Sequence, residues 1–218
     1  MTVRLVVFDC DGTLSDGQAA VCAAMDAAFA AAGLPPPDRH QVRRTVGLSL
    51  PHAVRRIAPD APEHRQAAAV EAYKAAFRRS RLDGTLSEPL FEGVADLLGR
   101  LRARGWVLGV ATGKSDRGLK SCLVTHGIVD LFATLQTADR HPSKPHPSML
   151  ETAMAEAAAA PRATVMIGDT AFDMEMARAA GCRALGVAWG YHAAGELIEA
   201  GAEAVAATPA ELEELIDG

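Results

Sequence analysis

The chain has 218 residues, 49 % of them apolar, enough to bury one substantial core and still carry a sizeable insertion. Its 22 Lys plus Arg against 27 Asp plus Glu give a formal net charge of -5. That balance excludes a broad cationic face for a nucleic-acid backbone, so a phosphorylated small molecule would be met by locally placed cations. The four cysteines, Cys10, Cys22, Cys122 and Cys182, form no Cys-x-x-Cys pair, which argues against a disulfide framework or a thiolate zinc site and fits reduced thiols in a cytoplasm.

In chain order, the first apolar run, Val3–Phe8, is continuous, closed by acid and too short for a signal-peptide core. It predicts a buried strand. The run Ala19–Leu34 is mostly alanine, is interrupted by Asp26 and falls short of a membrane span, so it predicts a packed helix and no membrane partner. Helical periodicity continues over His40–Val46, His52–Ile57 and Glu63–Arg79, with breaks at Pro35–Pro37 and at Ala58–Pro62. The next strand-like run begins only at Trp106, much farther on than a simple crossover requires. The intervening segment, about Gly17–Glu88, is therefore an insertion.

Further buried-strand patterns lie at Trp106–Ala111, Phe132–Gln136, Thr164–Ile167 and Ala184–Ala188, continuous in apolar residues rather than alternating. Helical stretches separate them, and Pro161 stops the one that ends in Ala157–Ala160. The expected fold is α/β, a Rossmann-like three-layer core with a parallel sheet, formed by residues 1–16 and 87–218. An α-helical cap domain over 17–86 is inserted into it.

The chemistry-bearing residues fall at strand ends. The first strand runs into Asp9-Cys10-Asp11-Gly12-Thr13, two acids at the carboxyl edge, where open α/β sheets bind ligands. Like charges so close resist joint ionisation unless a cation or a shared proton relieves them. A single acid at a strand end would be an ordinary turn former; two flanking one residue point to chemistry. The second strand closes in Thr112-Gly113-Lys114-Ser115, where a hydroxyl and small-residue amides at a helix start suit phosphate oxygens, although a plain helix cap explains the same residues. Lys144, between Ser143 and Pro145 ahead of a helix, is a candidate to stabilise charge on a phosphoryl group. The fourth strand leads into Gly168-Asp169, with Asp173 one helical turn on. Oxygen ligands without nitrogen or sulfur point to Mg²⁺. The near-copy Asp83-Gly84-Thr85-Leu86 follows charged residues instead of a buried strand and is expected to be a turn.

Taken together, Asp9-x-Asp11-Gly12-Thr13, Thr112, Lys144 and Gly168-Asp169-x-x-x-Asp173 resemble, in order and spacing, the four motifs of the haloacid dehalogenase-like superfamily. The resemblance implies a phosphatase in which Asp9 is the nucleophile and forms an aspartyl-phosphate, and Asp11 gives and later takes a proton. It further implies Mg²⁺ held by Asp9, Asp169 and the Asp11 backbone carbonyl, with Asp173 orienting ligands. Phosphate would be bound by Asp9, Gly12, Thr112, Gly113 and Lys144. The insertion is similar to the cap of the phosphoglycolate phosphatase and β-phosphoglucomutase branch, which puts substrate selection near Gly47, Leu48 and Ser49, with Arg43, Arg44 and His52 read as solvated. Mutase relatives usually carry a basic residue where this chain has Leu48, which favours hydrolysis of a small phosphorylated metabolite. A phosphosugar mutase and a non-catalytic metabolite sensor are the alternatives, and the chain is expected as a monomer or homodimer.

Overall fold

The computed structural model describes residues 2–218. The strands are β1 (Leu5–Phe8), β2 (Val107–Thr112), β3 (Thr134–Thr137), β4 (Thr164–Gly168), β5 (Arg183–Val187) and β6 (Ala204–Ala206). They form a single parallel sheet in the order β3-β2-β1-β4-β5-β6. Strand polarity and order place the switch in winding direction beside β1, where β2 and β3 build to one side and β4 to β6 to the other. Such a switch opens a crevice at the carboxyl ends of the strands.

Both faces of the sheet are covered, which explains the unbroken apolar runs. Val6 and Phe8 of β1, Leu108 and Val110 of β2 and Ile167 of β4 point to one side. There they meet Leu97, Leu98 and Leu101 of α5 (Val94–Ala103), Leu119 of α6 (Asp116–Thr125) and Leu212 of α10 (Pro209–Asp217). Leu5 and Val7 point to the other side with Met166, against Met149 and Leu150 of α7 (Ser148–Ala157), Met174 of α8 (Ala171–Ala179) and Leu197 of α9 (Ala194–Ala200). A strand buried on both sides needs no polar alternate.

Between β1 and β2 lie α1 (Gln18–Ala31), α2 (Arg39–Arg44), α3 (Leu50–Ile57) and α4 (Glu63–Leu82). They enclose an apolar cluster of their own that includes Met25, Phe29, Val42, Val54 and Val70. Asp38 starts α2 by accepting from the His40 amide at 2.9 Å. Asp83 and Gly84 turn the chain out of α4, with Gly84 at φ +68°, so the near-copy of the first motif is a turn.

Several element ends differ from those read from the sequence. The first strand starts at Leu5 rather than Val3, and the third at Thr134 rather than Phe132, because Val129–Leu131 forms a short 3-10 turn that displaces Phe132 from the sheet. The helix expected to run to Ala160 ends at Ala157, where Ala158 adopts a left-handed φ of +53°. Strand β6 has only three residues and is recruited by pairing with β5, a tertiary effect with no local signature.

Candidate active site

Asp9 follows β1 directly, and its amide donates to the Ile167 carbonyl at 2.8 Å, which ties it to the neighbouring strand. Lys144 reaches the same point from the loop before α7. Its Nζ lies 2.8 Å from Asp9 Oδ1 and 2.6 Å from Asp173 Oδ1, and the whole side chain is buried. Asp169 leaves β4 and accepts from Thr13 Oγ1 at 2.9 Å and from the Tyr191 amide at 2.9 Å. The Thr13-side turn depends on Gly12 at φ +88°, since a Cβ there would collide with the Asp169 carboxylate. Asp173 is fully engaged in another way. Its Oδ2 accepts from the Thr170 amide at 3.1 Å and the Thr170 hydroxyl at 2.7 Å, closing a capping box on α8.

Carboxylate oxygens of Asp9, Asp169 and Asp173 lie within 4.8 Å of one another, all buried. Burial pushes the Asp9 carboxyl up to about 7, with Lys144 opposing that rise and Asp173 adding to it. Burial, then the charge of Asp9, raises Asp169 well above the usual carboxylate range. Burial works against the charge of Lys144, but Asp173 and Asp9 outweigh it and hold the ammonium above its ordinary value. Asp9 Oδ2 is buried without a hydrogen-bond partner, and Oδ1 faces Lys144 outside hydrogen-bonding geometry. Three clustered carboxylates of which only Asp9 and Asp173 face the ammonium, with an orphaned oxygen and only oxygen donors, fit a hard divalent cation.

The second acid of the first motif turns the other way. Asp11 contributes no carboxylate to that group; its Oδ1 lies 3.0 Å from Lys114 Nζ, which also lies 2.5 Å from Glu88 Oε1. Burial raises the Asp11 carboxyl, with Lys114 opposing. Asp11 can therefore hold or release a proton beside the helical insertion while Asp9 faces the acid group. Thr112 is buried at the end of β2, its Oγ1 accepting from the Lys114 amide at 3.2 Å. Ser115 caps α6, accepting from the Gly118 amide at 3.1 Å.

The insertion closes onto this edge. A Cβ on Gly113 would sit 2.5 Å from the Leu48 carbonyl oxygen and 2.7 Å from that of Gly47. The Ser49 amide donates to Ser143 Oγ at 2.8 Å, and Ser49 Oγ lies 2.9 Å from His52 Nδ1. Gly47, Leu48 and Ser49 thus face Gly113 and the Lys144 loop. Arg44, expected to be solvated, instead forms a two-pronged pair with Glu196 at 2.6 and 2.7 Å. Lys114, Glu88 and Tyr191 were assigned no role by motif. Lys114 carried a usable signal, since it stands two places after Thr112 at the same sheet edge; Glu88 and Tyr191 carried none.

Every sequence motif therefore converges on the carboxyl edge at β1, β2 and β4. The sequence profile described as haloacid dehalogenase-like hydrolase matches residues 6–187. The chain belongs to the haloacid dehalogenase-like hydrolase family. Among its relatives is a "Probable phosphatase IndB" of Dickeya dadantii (strain 3937), 38 % identical over 196 residues that cover 88 % of this chain and 84 % of that one. Another is a phosphoglycolate phosphatase of Vibrio vulnificus (strain CMCP6), 30 % identical, with 87 % of this chain and 86 % of that one covered. The solved structure of a haloacid dehalogenase-like hydrolase from Streptococcus pneumoniae superposes with a TM-score of 0.85 at 25 % identity, covering 98 % of both chains.

Proposed function

We propose that this haloacid dehalogenase-like hydrolase is a Mg²⁺-dependent phosphomonoesterase that acts on a small phosphorylated metabolite through a phosphorylated Asp9. The observation that carries this reading is the Asp9 carboxylate, one oxygen orphaned and the other beside Lys144, at the crevice of the sheet. Relatives named as phosphatases support it.

Asp9 attacks phosphorus, and the bond from phosphorus to the alcohol oxygen breaks as Asp11 gives that oxygen a proton. Water then attacks the aspartyl-phosphate, Asp11 takes its proton, and the bond between Asp9 and phosphorus breaks to release inorganic phosphate. Lys144 fixes Asp9 and offsets charge on the transferring group, while Thr112 and the Gly113 amide bind its oxygens. Asp9 and Asp169, with the Asp11 backbone carbonyl, would hold Mg²⁺, which supplies positive charge to the phosphoryl oxygens when bound. Asp173 acts by positioning Lys144 and the start of α8. The Gly47–Ser49 loop shields the site from water on the insertion side.

The test is release of inorganic phosphate from a panel of phosphomonoesters, with and without Mg²⁺, beside Asp9→Asn. Release that needs Mg²⁺ and vanishes in the variant is expected. Release that survives Asp9→Asn sinks the mechanism. Turnover of a sugar phosphate without free phosphate, primed by its bisphosphate, would identify a mutase instead.

A further inference from the structure

A cavity of about 480 Å³ lies between the insertion and the core, with Asp11, Lys114 and Gly113 at its inner end. Its walls are largely apolar: Met25 from α1, Val42 from α2, Leu50 from α3 and Phe77 from α4. Tyr73 and Phe77 also line it, their rings tilted against each other with centroids 4.9 Å apart. That volume falls in the range of about 300–1,000 Å³ that encloses drug-sized ligands. A two-carbon hydroxy acid has almost no apolar surface to bury against such walls, so filling the cavity with it gains little.

Cations outnumber acids among the charged groups of the cavity lining, with Lys74, Arg78 and Arg81 of α4 and Lys114 and Arg117 set against Asp11 and Asp139. Arg78, Arg81 and Arg117 line it, and among the described residues none of them is in an ion pair. Arg81 Nε is buried with no hydrogen-bond partner. A buried donor left unmade is costly, so its place in the wall is explained by an acceptor that arrives with the ligand. The cavity thus offers a proton-handling end at Asp11, an aromatic and aliphatic waist, and an arginine whose Nε is buried without a partner.

Resting on the phosphatase reading, we infer that the leaving group is a ring-sized, mainly apolar alcohol bearing an anionic group that pairs with Arg81, rather than a two-carbon acid. The phosphoryl end sits at Asp9, the alcohol oxygen faces Asp11, and the ring lies against Tyr73 and Phe77.

The probes are 4-carboxybenzyl phosphate, benzyl phosphate and phosphoglycolate, assayed for phosphate release with the parent, Arg81→Gln and Phe77→Leu. The parent is expected to show its highest kcat/KM with 4-carboxybenzyl phosphate. Arg81→Gln lowers that value by about tenfold or more, toward the benzyl ester, and leaves benzyl phosphate and phosphoglycolate unchanged. Phe77→Leu lowers both ring esters and spares phosphoglycolate. Phosphoglycolate as the best of the three, or an equal loss on all three with Arg81→Gln, overturns the inference while leaving the phosphatase intact. Absence of release from all three counts against the phosphatase reading instead, and the cavity is then judged by calorimetry with 4-carboxybenzyl alcohol. Binding weakened by Arg81→Gln upholds the recognition; no binding to the parent overturns it.

Discussion

Lys144 stands between two buried carboxylates, and its removal exposes what each of them costs. In Lys144→Met the volume stays similar, but Asp9 and Asp173 lose the ammonium at 2.8 and 2.6 Å. Breaking a buried ion pair from one side costs about 3–5 kcal/mol, and for a chain of this size the thermal midpoint should fall by about 10 °C without added metal. Calorimetric unfolding checks it, and an unchanged midpoint would mean that the carboxylates take up protons at no cost. Asp9→Asn should move the midpoint the other way, since it relieves a carboxyl that burial already pushes up to about 7. At this scale the sequence displayed the acids and Lys144, because chemistry that needs a carboxylate leaves few substitutes. It did not display that Asp11 and Asp9 face different partners. That divergence depends on Lys114 and Glu88, and Glu88 is 77 residues from Asp11 along the chain.

Strands β1, β2 and β4 were legible as elements because both faces of the sheet are covered, so each appears as an unbroken apolar run. The helices of the insertion were legible within a few residues, since proline-rich breaks mark their limits. β6 was not, because Ala204–Ala206 is a strand only by virtue of its partner. Where elements meet, spacing matters more than type, and at Gly113 the insertion's backbone comes close enough to the core to leave no room for a side chain. Gly113→Ala puts a methyl against the Gly47 and Leu48 carbonyls and forces the loop away from the sheet edge. A displacement of about 1 Å near reacting groups can cost about 100-fold, so kcat/KM should drop by about 10–100-fold, and because the methyl meets backbone rather than a flexible side chain the unfolding midpoint should fall by several °C as well. Steady-state kinetics on the best ester provides the check, and parent-like kcat/KM would show that the loop is not held at this distance during turnover.

At the scale of the whole molecule, insertion and core are tied by Arg44 and Glu196, which lie 152 positions apart. Separation of that kind is invisible to local pattern, and an arginine on a short helix carries no mark of its distant partner. Arg44 holds the Glu196 carboxyl down to about 2, from an ordinary 4.5. A depressed carboxyl contributes above its ordinary value and loses that contribution as pH falls through about 2, so the tie persists at neutral pH and fades only in strong acid. Both side chains are about a third exposed, which limits the pair to roughly 0.5–1 kcal/mol. Arg44→Ala should lower the midpoint by about 2 °C at pH 7, and 1 M salt should erase most of the difference. A larger shift that ignores salt would assign Arg44 a packing role instead. The capping box of α8 imposes a different kind of restraint on this chain. Asp173 both starts a helix and anchors Lys144, so folding and chemistry draw on one carboxylate. A descendant abandoning phosphate chemistry could discard Asp9 and remain folded, but it could replace Asp173 only by finding another way to begin α8. Position 173 should therefore outlast the activity it serves.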